Sequence, residues 1–383
     1  MNLITTPLIA GAAQGFFLAL ILATKQTNTA ANRILAAGMA AYSCFLLYGL
    51  YYSQRWYEAA PHFIGGSIPI VFLFGPLHYL YALVLSGGSP TVTRKSWLHF
   101  LPFVLAVAYL TPFFLHDGDY KLAFLARLMT EGEPLDLMLI EQLQFVQGII
   151  YVILTILLLR RHQASLRDNF SSIERINLRW LTNLTIGIAA VWALATVMNV
   201  LDLLGIGLGG IEGSITPIGV AVLVYLVGYF GLRQPEIFHG RIGQLTPLPM
   251  AVPRVEPPQP AGYEKSGLDP AEAATLMERL RQLMQEKKPY LDSGLTLQDL
   301  AGELGISPHN LSEVINTQAG RNFYDFINQY RVEEAMARLR DPKCANLTIL
   351  AIAGDAGFNS KATFNAFFKR QTGTTPSAFR KTS

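Results

Sequence analysis

Seven apolar stretches, each close to twenty residues long, occupy the first 240 positions of this chain. A helix of about 20 apolar residues crosses the ~30 Å hydrocarbon core of a bilayer, and lipid offers no partner for exposed backbone groups. Only 15% of the chain is charged, against about 25% in an ordinary soluble domain. We therefore predict an all-α chain that begins with seven membrane-spanning helices, at residues 3–24, 34–53, 63–85, 97–115, 139–159, 181–204 and 212–232.

A large soluble helical core is the alternative interpretation of these stretches. Surface helices of a soluble protein keep a polar face, whereas residues 139–159 and 215–232 are apolar on every side. The pattern therefore favours the lipid bilayer as a partner. Because no basic residue precedes the first stretch, we predict a retained span and not a cleaved signal peptide.

The loops between the stretches differ in charge on the two sides of the predicted bundle. One side carries Lys25, Arg33, Arg94, Lys95, Arg160, Arg161, Arg167, Arg175, Arg179 and Arg233, and the other carries only Arg55, Lys121 and Arg127. Cytoplasmic loops hold the excess of basic residues. We therefore predict a bacterial inner-membrane protein whose N-terminus is outside and whose C-terminal residues are cytoplasmic.

A few polar residues within the stretches are candidates for sensing an unknown signal ligand. They are His78, Glu141, Asn199, Asp202 and Glu212. His78 follows Pro69, Gly75 and Pro76, and proline inside a spanning helix often marks a kink or a cavity. A hydrogen bond between helices is the simpler role for His78. For Glu141, Asp202 and Glu212 the simpler interpretation is that the outer ends of spanning helices tolerate acidic residues. Alternatively, the three acids converge on a cationic ligand, and polar groups in a membrane are costly unless they are used.

Composition changes after residue 240. Residues 1–240 hold 25 charged side chains, whereas the 143 residues that follow hold 32. Residues 241–263 contain six prolines, which favours an extended spacer of about 3.1 Å per residue. We predict a membrane domain at 1–240, a linker at 241–263 and a separate domain at 264–383.

The last domain contains the same helical pattern twice. Thr296 and Asp299 form a capping box, Gly305 ends that helix, and Ser307-Pro308 begins the next. Thr348 then begins a similar pair, which turns at Gly357 and continues from Ser360. Two short helices across such a turn are typical of a helix-turn-helix, whose second helix enters a DNA major groove. We place the two helix-turn-helix units at about 296–318 and 348–371.

From about Asp292 to Arg380 the chain resembles the DNA-binding domain of the arabinose-operon regulator (AraC) family. The matching residues are Leu297, Asp299, Leu300, Ala301, Leu304, Gly305, Ile306, Ser307, Leu311, Arg331, Val332, Glu333, Glu334, Ala335, Ile349, Ile352, Ala353, Gly357, Phe358, Phe364, Phe368, Lys369, Gly373, Thr375, Pro376 and Arg380. This resemblance implies two recognition helices, joined by a rigid helix, on major-groove segments about 34 Å apart. It also implies double-stranded DNA as a partner.

Apolar periodicity separates the exposed from the inward-facing residues of the two recognition helices. Candidate DNA contacts are His309, Asn310, Ser312, Glu313 and Asn316 in the first unit, and Asn359, Ser360, Lys361, Thr363, Asn365, Lys369 and Arg370 in the second. Residues 291–320 carry four acids and no Lys or Arg, whereas residues 342–383 carry six basic residues and one acid. Because phosphate attraction grows with the number of cations at the backbone, we predict that the second unit anchors the domain on DNA.

Taken together, the pattern predicts a membrane-bound transcriptional regulator that senses a signal through its bundle. Dimerisation into a homodimer, altered presentation by the linker and proteolytic release are three mechanisms that fit. A receptor or transporter whose helix-turn-helix tail docks a protein is the alternative. We predict no enzyme, cofactor or metal site, because the sequence has no phosphate-binding glycine loop and only two cysteines, Cys44 and Cys344.

Overall fold

The computed structural model describes residues 5–26, 28–87, 94–174, 176–205, 212–233 and 269–382. Every regular element in these ranges is a helix, and the one β pairing within them is an isolated bridge between Phe170 and Thr296. The predicted all-α fold is therefore confirmed. The predicted linker, residues 241–263, lies outside the described ranges.

Backbone contacts divide the chain into two units. The N-terminal unit comprises Met1–Arg160 and Leu178–Val252, and the C-terminal unit comprises Arg161–Asn177 and Pro253–Ser383. Residues 161–177, which the sequence assigned to the membrane domain, thus group with the tail. The sequence pattern did not predict this grouping, because it depends on contacts between residues far apart in the chain.

The helices between residues 5 and 233 follow the predicted apolar stretches closely. They are α1 (Thr5–Thr24), α2 (Thr29–Ser53), α3 (Ser67–Leu85), α4 (Leu101–Leu115), α5 (Gly118–Glu131), α6 (Leu135–Asn169), α7 (Arg179–Leu203) and α8 (Glu212–Arg233). A 3-10 helix, Arg94–Phe100, leads into α4, and α5 forms in what the sequence indicated as an outer loop. Helix α6 is 35 residues long, because no proline or glycine turn interrupts it between Leu159 and Asn169.

Six of these helices are long and apolar enough to cross a membrane. The sequence predicted seven, and the difference lies at α8. There the apolar stretch within the described residues is Thr216–Phe230, which is shorter than the other six. The structure therefore supports six of the predicted spans by length and composition.

Close approach of α1 to α2 builds much of the core of the N-terminal unit. A Cβ atom at Gly15 would overlap the hydroxyl of Ser43, so only glycine permits this spacing. Small residues at such positions let spanning helices pack backbone against backbone. Leu8, Leu46 and Leu80 are almost fully buried beside them.

The C-terminal unit contains seven helices after residue 269 in the part that the structure describes. They are α9 (Pro270–Glu286), α10 (Leu297–Leu304), α11 (Pro308–Ala319), α12 (Phe323–Arg340), α13 (Ile349–Asp355), α14 (Lys361–Thr372) and α15 (Pro376–Thr382). Helices α10 and α11 form the first helix-turn-helix unit, and α13 and α14 form the second. Helix α12 joins the two helix-turn-helix units.

Short helices in this unit begin at side chains that accept a backbone N–H. The predicted capping box is present, since Thr296 accepts from the Asp299 amide and Asp299 accepts from the Thr296 amide. Ser307, Thr348 and Ser360 cap α11, α13 and α14 in the same way. Each such cap contributes about 1 kcal/mol, so the sequence itself fixes where these helices start.

Candidate nucleic-acid interface

Helix α11 presents the candidate contacts of the first helix-turn-helix unit. Its buried side is formed by Leu311, Val314 and Ile315, each at most 1% exposed. Of the predicted contacts, His309 and Asn316 are exposed, and Asn310, Ser312 and Glu313 are half-buried. The side-chain amide of Asn316 donates to the Ser312 hydroxyl at 3.4 Å, so two of the predicted DNA-contacting side chains are hydrogen-bonded to each other.

Helix α14 presents the candidate contacts of the second unit. Phe364 and Phe368 are fully buried, and Phe367 is 8% exposed. The predicted contacts divide into an exposed set, Asn359, Lys361, Asn365, Lys369 and Arg370, and a half-buried pair, Ser360 and Thr363. Ser360 accepts the Thr363 amide at 3.3 Å, so its hydroxyl caps the helix and is committed to that role.

The cations of α14 differ in how available they are to DNA phosphates. Arg370 donates to Asp325 on α12 at 2.8 Å, and its guanidinium lies 4.3 Å from the ring centre of Phe367. Lys361 and Lys369 make no ion pair within the described residues. The two lysines are therefore the cations that this helix can offer to a phosphate without first breaking a contact.

A short segment before α7 is bound into the C-terminal unit. We call residues Phe170–Glu174 the docking segment. The Ser171 amide and hydroxyl both donate to the Leu295 carbonyl, at 3.2 and 2.6 Å. Ser171 is 1% exposed, so the segment is part of the packed interior and not a loose loop on its surface.

Arg331 on α12 is the main partner of the docking segment. It is 1% exposed and donates to the carbonyls of Tyr290, Asp292 and Ser171 at 2.8 Å, and to the Ser171 hydroxyl at 2.9 Å. Burial lowers its pKa to about 10, although Glu174 and Asp292 favour the charged form. The guanidinium is therefore charged at neutral pH and satisfied by acceptors from three parts of the chain.

The docking segment also contacts the start of the second recognition helix. Thr363 donates to the carboxylate of Glu174 at 2.5 Å, and the Asn359 amide donates to the Ser172 hydroxyl at 3.2 Å. Two of the predicted DNA contacts thus have protein partners in this structure. Sequence reasoning missed the segment, although a charged residue on the apolar face of α12 was a detectable sign of a buried polar contact.

The N-terminal unit encloses a cavity of about 820 Å³. Three of the predicted ligand-sensing residues, His78, Glu141 and Asn199, line it. The side chains of the other two, Asp202 and Glu212, lie outside the described part of the structure. Nε2 of His78 also lies 3.0 Å from the Thr185 hydroxyl. His78 therefore both lines the cavity and forms a hydrogen bond between helices.

Comparison with known proteins places the likeness in the C-terminal domain. A family model described as a helix-turn-helix domain matches residues 300–382. The chain is 30% identical over 90 residues to the probable transcription factor PqrA of Proteus vulgaris. This match covers 24% of this chain and 71% of that protein. It is 28% identical over 116 residues to the raffinose operon transcriptional regulatory protein RafR of Pediococcus pentosaceus. That match covers 29% of this chain and 41% of that protein.

A longer match reaches further into the chain. A putative AraC-like transcription regulator of Streptomyces lividans is 23% identical over 211 residues, which covers 44% of this chain and 67% of that protein. The chain spans only about two fifths of the length of the raffinose operon regulator. These matches therefore span a part of this chain and a part of each relative.

Proposed function

The chain belongs to the AraC family of transcriptional regulators, and we propose that it is a membrane-bound member that binds specific DNA sequences in response to a signal sensed by its helical bundle. Two recognition helices, α11 and α14, would enter successive major-groove segments. The second would anchor the domain, and the first would add sequence readout.

The exposed face of α14 is the observation that carries the DNA-binding part of this proposal. Lys361 and Lys369 are exposed on one helix, Asn365 lies between them in sequence, and three buried phenylalanines hold that helix in place. Lysine contacts phosphate or guanine, and asparagine pairs bidentately with adenine. A protein-docking surface, the competing interpretation, has no need of two unpaired cations on the helix that the family uses for DNA.

Membrane insertion is supported by the outer surface of the helices. Phe17, Leu20 and Leu105 are 63%, 66% and 59% exposed, which suits a lipid-facing surface and is costly in water. We propose that α8 also spans the bilayer, giving seven crossings. The basic loops then place the N-terminus outside and the DNA-binding domain in the cytoplasm of a bacterium.

Signal sensing is assigned to the cavity that His78, Glu141 and Asn199 line. A volume of about 820 Å³ lies within the usual range of small-ligand pockets, about 300–1,000 Å³. A change of bundle shape would reach the DNA-binding domain through homodimer formation, through the linker, or through the docking segment.

The test of DNA binding is a random-sequence selection with the full chain in lipid nanodiscs, at two salt concentrations. We expect enrichment of two short motifs about one helical turn apart. Loss of all DNA binding at both salt concentrations would instead support the protein-docking alternative.

Replacing Lys361 and Lys369 with alanine should weaken binding to any DNA about tenfold and reduce the slope of log affinity against log salt by about 2. The reason is that two phosphate contacts and their released counterions are lost. Fluorescence anisotropy with a selected and a scrambled duplex measures both quantities. The matched control is His309→Ala with Asn316→Ala in the first unit, which should leave the salt slope unchanged. A larger loss in the control would contradict the assignment of the second unit as the anchor.

A further inference from the structure

Alternate residues of the docking segment have different surroundings. Ser171 and Ile173 are 1% and 6% exposed, whereas Ser172 and Glu174 are half-buried. An extended chain places successive side chains on opposite sides, so burial of one pair leaves the other pair nearer the surface. Ser171 and Ile173 therefore anchor the segment, and Ser172 and Glu174 are the side chains that it presents.

The presented side chains form a connected set of hydrogen bonds with the start of α14. Thr363, the third residue of that helix, donates to Oε1 of Glu174 at 2.5 Å, and the Ser172 hydroxyl donates to Oε2 of the same carboxylate at 2.6 Å. The side-chain amide of Asn359 donates to the Ser172 hydroxyl at 3.2 Å and to the Ser293 carbonyl at 3.4 Å. The segment therefore binds two of the predicted DNA contacts.

The carboxylate of Glu174 lies where a DNA phosphate would be attracted. A helix N-terminus carries partial positive charge, and its backbone N–H groups bind phosphate. The exposed Lys361 adds a full positive charge at the first turn of α14, and Glu174 brings a negative charge to the same turn through Thr363. Because a carboxylate and a phosphate repel each other, each weakens the binding of the other at this turn.

Docking also occupies polar groups that could contact bases. Asparagine pairs with adenine through its side-chain amide, and threonine can hydrogen-bond to base edges through its hydroxyl. In this structure the amide of Asn359 and the hydroxyl of Thr363 both donate within the protein. These donors become available to DNA once Ser172 and Glu174 have left.

We propose that the docking segment is an internal competitor of DNA, which covers the start of α14 and must leave before the second helix-turn-helix unit binds. This inference rests on the proposed DNA-binding function and adds the way in which that function is controlled. The segment begins directly after α6, and only residues 175–178 separate it from α7. A signal that moves either helix would shift the balance between the docked and the released segment.

Release of the segment has a cost at Arg331. The guanidinium would lose the carbonyl and the hydroxyl of Ser171, and it would keep the carbonyls of Tyr290 and Asp292. Docking therefore lowers the apparent affinity for DNA in proportion to the fraction of molecules in which the segment is released.

A reversible cross-link tests this release directly. Phe170 and Thr296 are paired in the antiparallel bridge, where paired Cα atoms are about 4.5–5.5 Å apart, a separation that suits a disulfide. The two native cysteines, Cys44 and Cys344, are first replaced by serine. Phe170→Cys with Thr296→Cys should then form a disulfide that holds the segment docked, and neither position is a predicted DNA contact.

Fluorescence anisotropy with a selected duplex compares the oxidised and reduced forms of this variant, as the full chain in nanodiscs. The oxidised form should bind about tenfold more weakly or worse, because its segment cannot leave. Equal affinity of the two forms, or a disulfide that fails to form under mild oxidation, would overturn the competition and leave the proposed DNA binding intact. Absence of duplex binding in the reduced variant and in the unaltered chain would contradict DNA binding itself, and the competition with it.

Glu174→Ala tests the same competition without a cross-link. It removes both the charge and the acceptors for Thr363 and Ser172, so it should bind the duplex about tenfold more tightly. Asp168→Ala is the matched control, because it removes the same charge six residues earlier, where no hydrogen bond to α14 is present within the described structure. It should have little effect, and equal effects of the two substitutions would refute the competition.

Hydrogen exchange follows the segment itself. The Ser171 amide donates to the Leu295 carbonyl at 3.2 Å, so its exchange should be slow in the free chain. A saturating amount of the selected duplex should speed that exchange, because DNA displaces the segment. A Ser171 amide that stays protected on DNA would refute the release of the segment.

Discussion

Gly357→Ala is expected to destabilise the C-terminal unit by about 3–5 kcal/mol, a large part of the roughly 5–15 kcal/mol that stabilises a typical domain. Gly357 has φ of +91°, which costs an alanine about 1–2 kcal/mol before any clash. A Cβ atom there would also overlap the Tyr290 carbonyl oxygen and lie 2.9 Å from Nε of Arg331. Both neighbours are fixed, because the same carbonyl is a hydrogen-bond partner of that guanidinium.

Gly373→Ala is the matched control for this substitution. Gly373 has a similar φ of +72°, but no atom lies within 4 Å of the position its Cβ would take. Its cost should therefore be limited to about 1 kcal/mol of backbone strain. Pulse proteolysis of the full chain in nanodiscs across a urea series measures both. Similar losses for the two variants would mean that backbone conformation and not the close approach dominates.

Arg331→Met is expected to cost the C-terminal unit about 3–5 kcal/mol. The substitution removes five hydrogen bonds of a buried cation and leaves the Tyr290 carbonyl without a side-chain donor, while the carbonyls of Asp292 and Ser171 keep one donor each, the Leu295 amide and Asn328. A buried acceptor without a partner costs about 1–3 kcal/mol, and a lost hydrogen bond to a charged group costs about 1.5–3 kcal/mol. Arg331→Lys should fail to restore stability, since a lysine ammonium cannot present the guanidinium fork to acceptors on three sides.

Arg338→Met provides the comparison on the same helix. Arg338 pairs with Glu334 at 2.9 Å and Asp355 at 3.3 Å, and its side chain is 29% exposed. Partly exposed ion pairs contribute at most about 1 kcal/mol. The same urea series should therefore separate the two arginines clearly. Should Arg331→Met unfold no more readily than Arg338→Met, the buried hydrogen bonds would contribute little net stability.

Local sequence signals predicted the helices of the DNA-binding domain well. Thr296, Ser307 and Ser360 cap helices where they were expected to, because a cap depends on residues within one turn. The apolar stretches likewise became helices at nearly the predicted positions. The number of spans was predicted less well. Seven were expected, whereas six described helices are long and apolar enough, and the apolar stretch of α8 within the described residues is shorter than those six.

The candidate site was only partly predictable, because some of its geometry depends on contacts between residues far apart in the chain. Sequence spacing identified the exposed faces of α11 and α14, but it treated Arg370, Asn359 and Thr363 as equally available. The structure gives Arg370 a partner on α12 and gives the other two partners in the docking segment. One residue did indicate a distant contact. Arg331 lies on the same face of α12 as Ile327 and Ala335, which are both fully buried, so its charge needed buried partners.

The cavity shows the same division between local and distant information. His78 was singled out because it follows prolines in a spanning stretch, and Glu141 and Asn199 because they are polar residues in apolar stretches. That argument finds the residues but not their arrangement, since they lie on α3, α6 and α7. Only packing of these helices brings the three residues to the wall of one cavity, and the contact between His78 and Thr185 depends on the same packing.

The docking segment has a consequence for the lifetime of the protein in the cell. A fragment cut free within the linker would keep α9 to α15 but lose Ser171, which supplies two of the five acceptors around Arg331. Its unfolded population would rise, and cellular proteases remove unfolded chains continuously. A severed regulator would therefore give a brief pulse of transcription before it was degraded. The tethered chain, which retains its own stabilising segment, would support a lasting response.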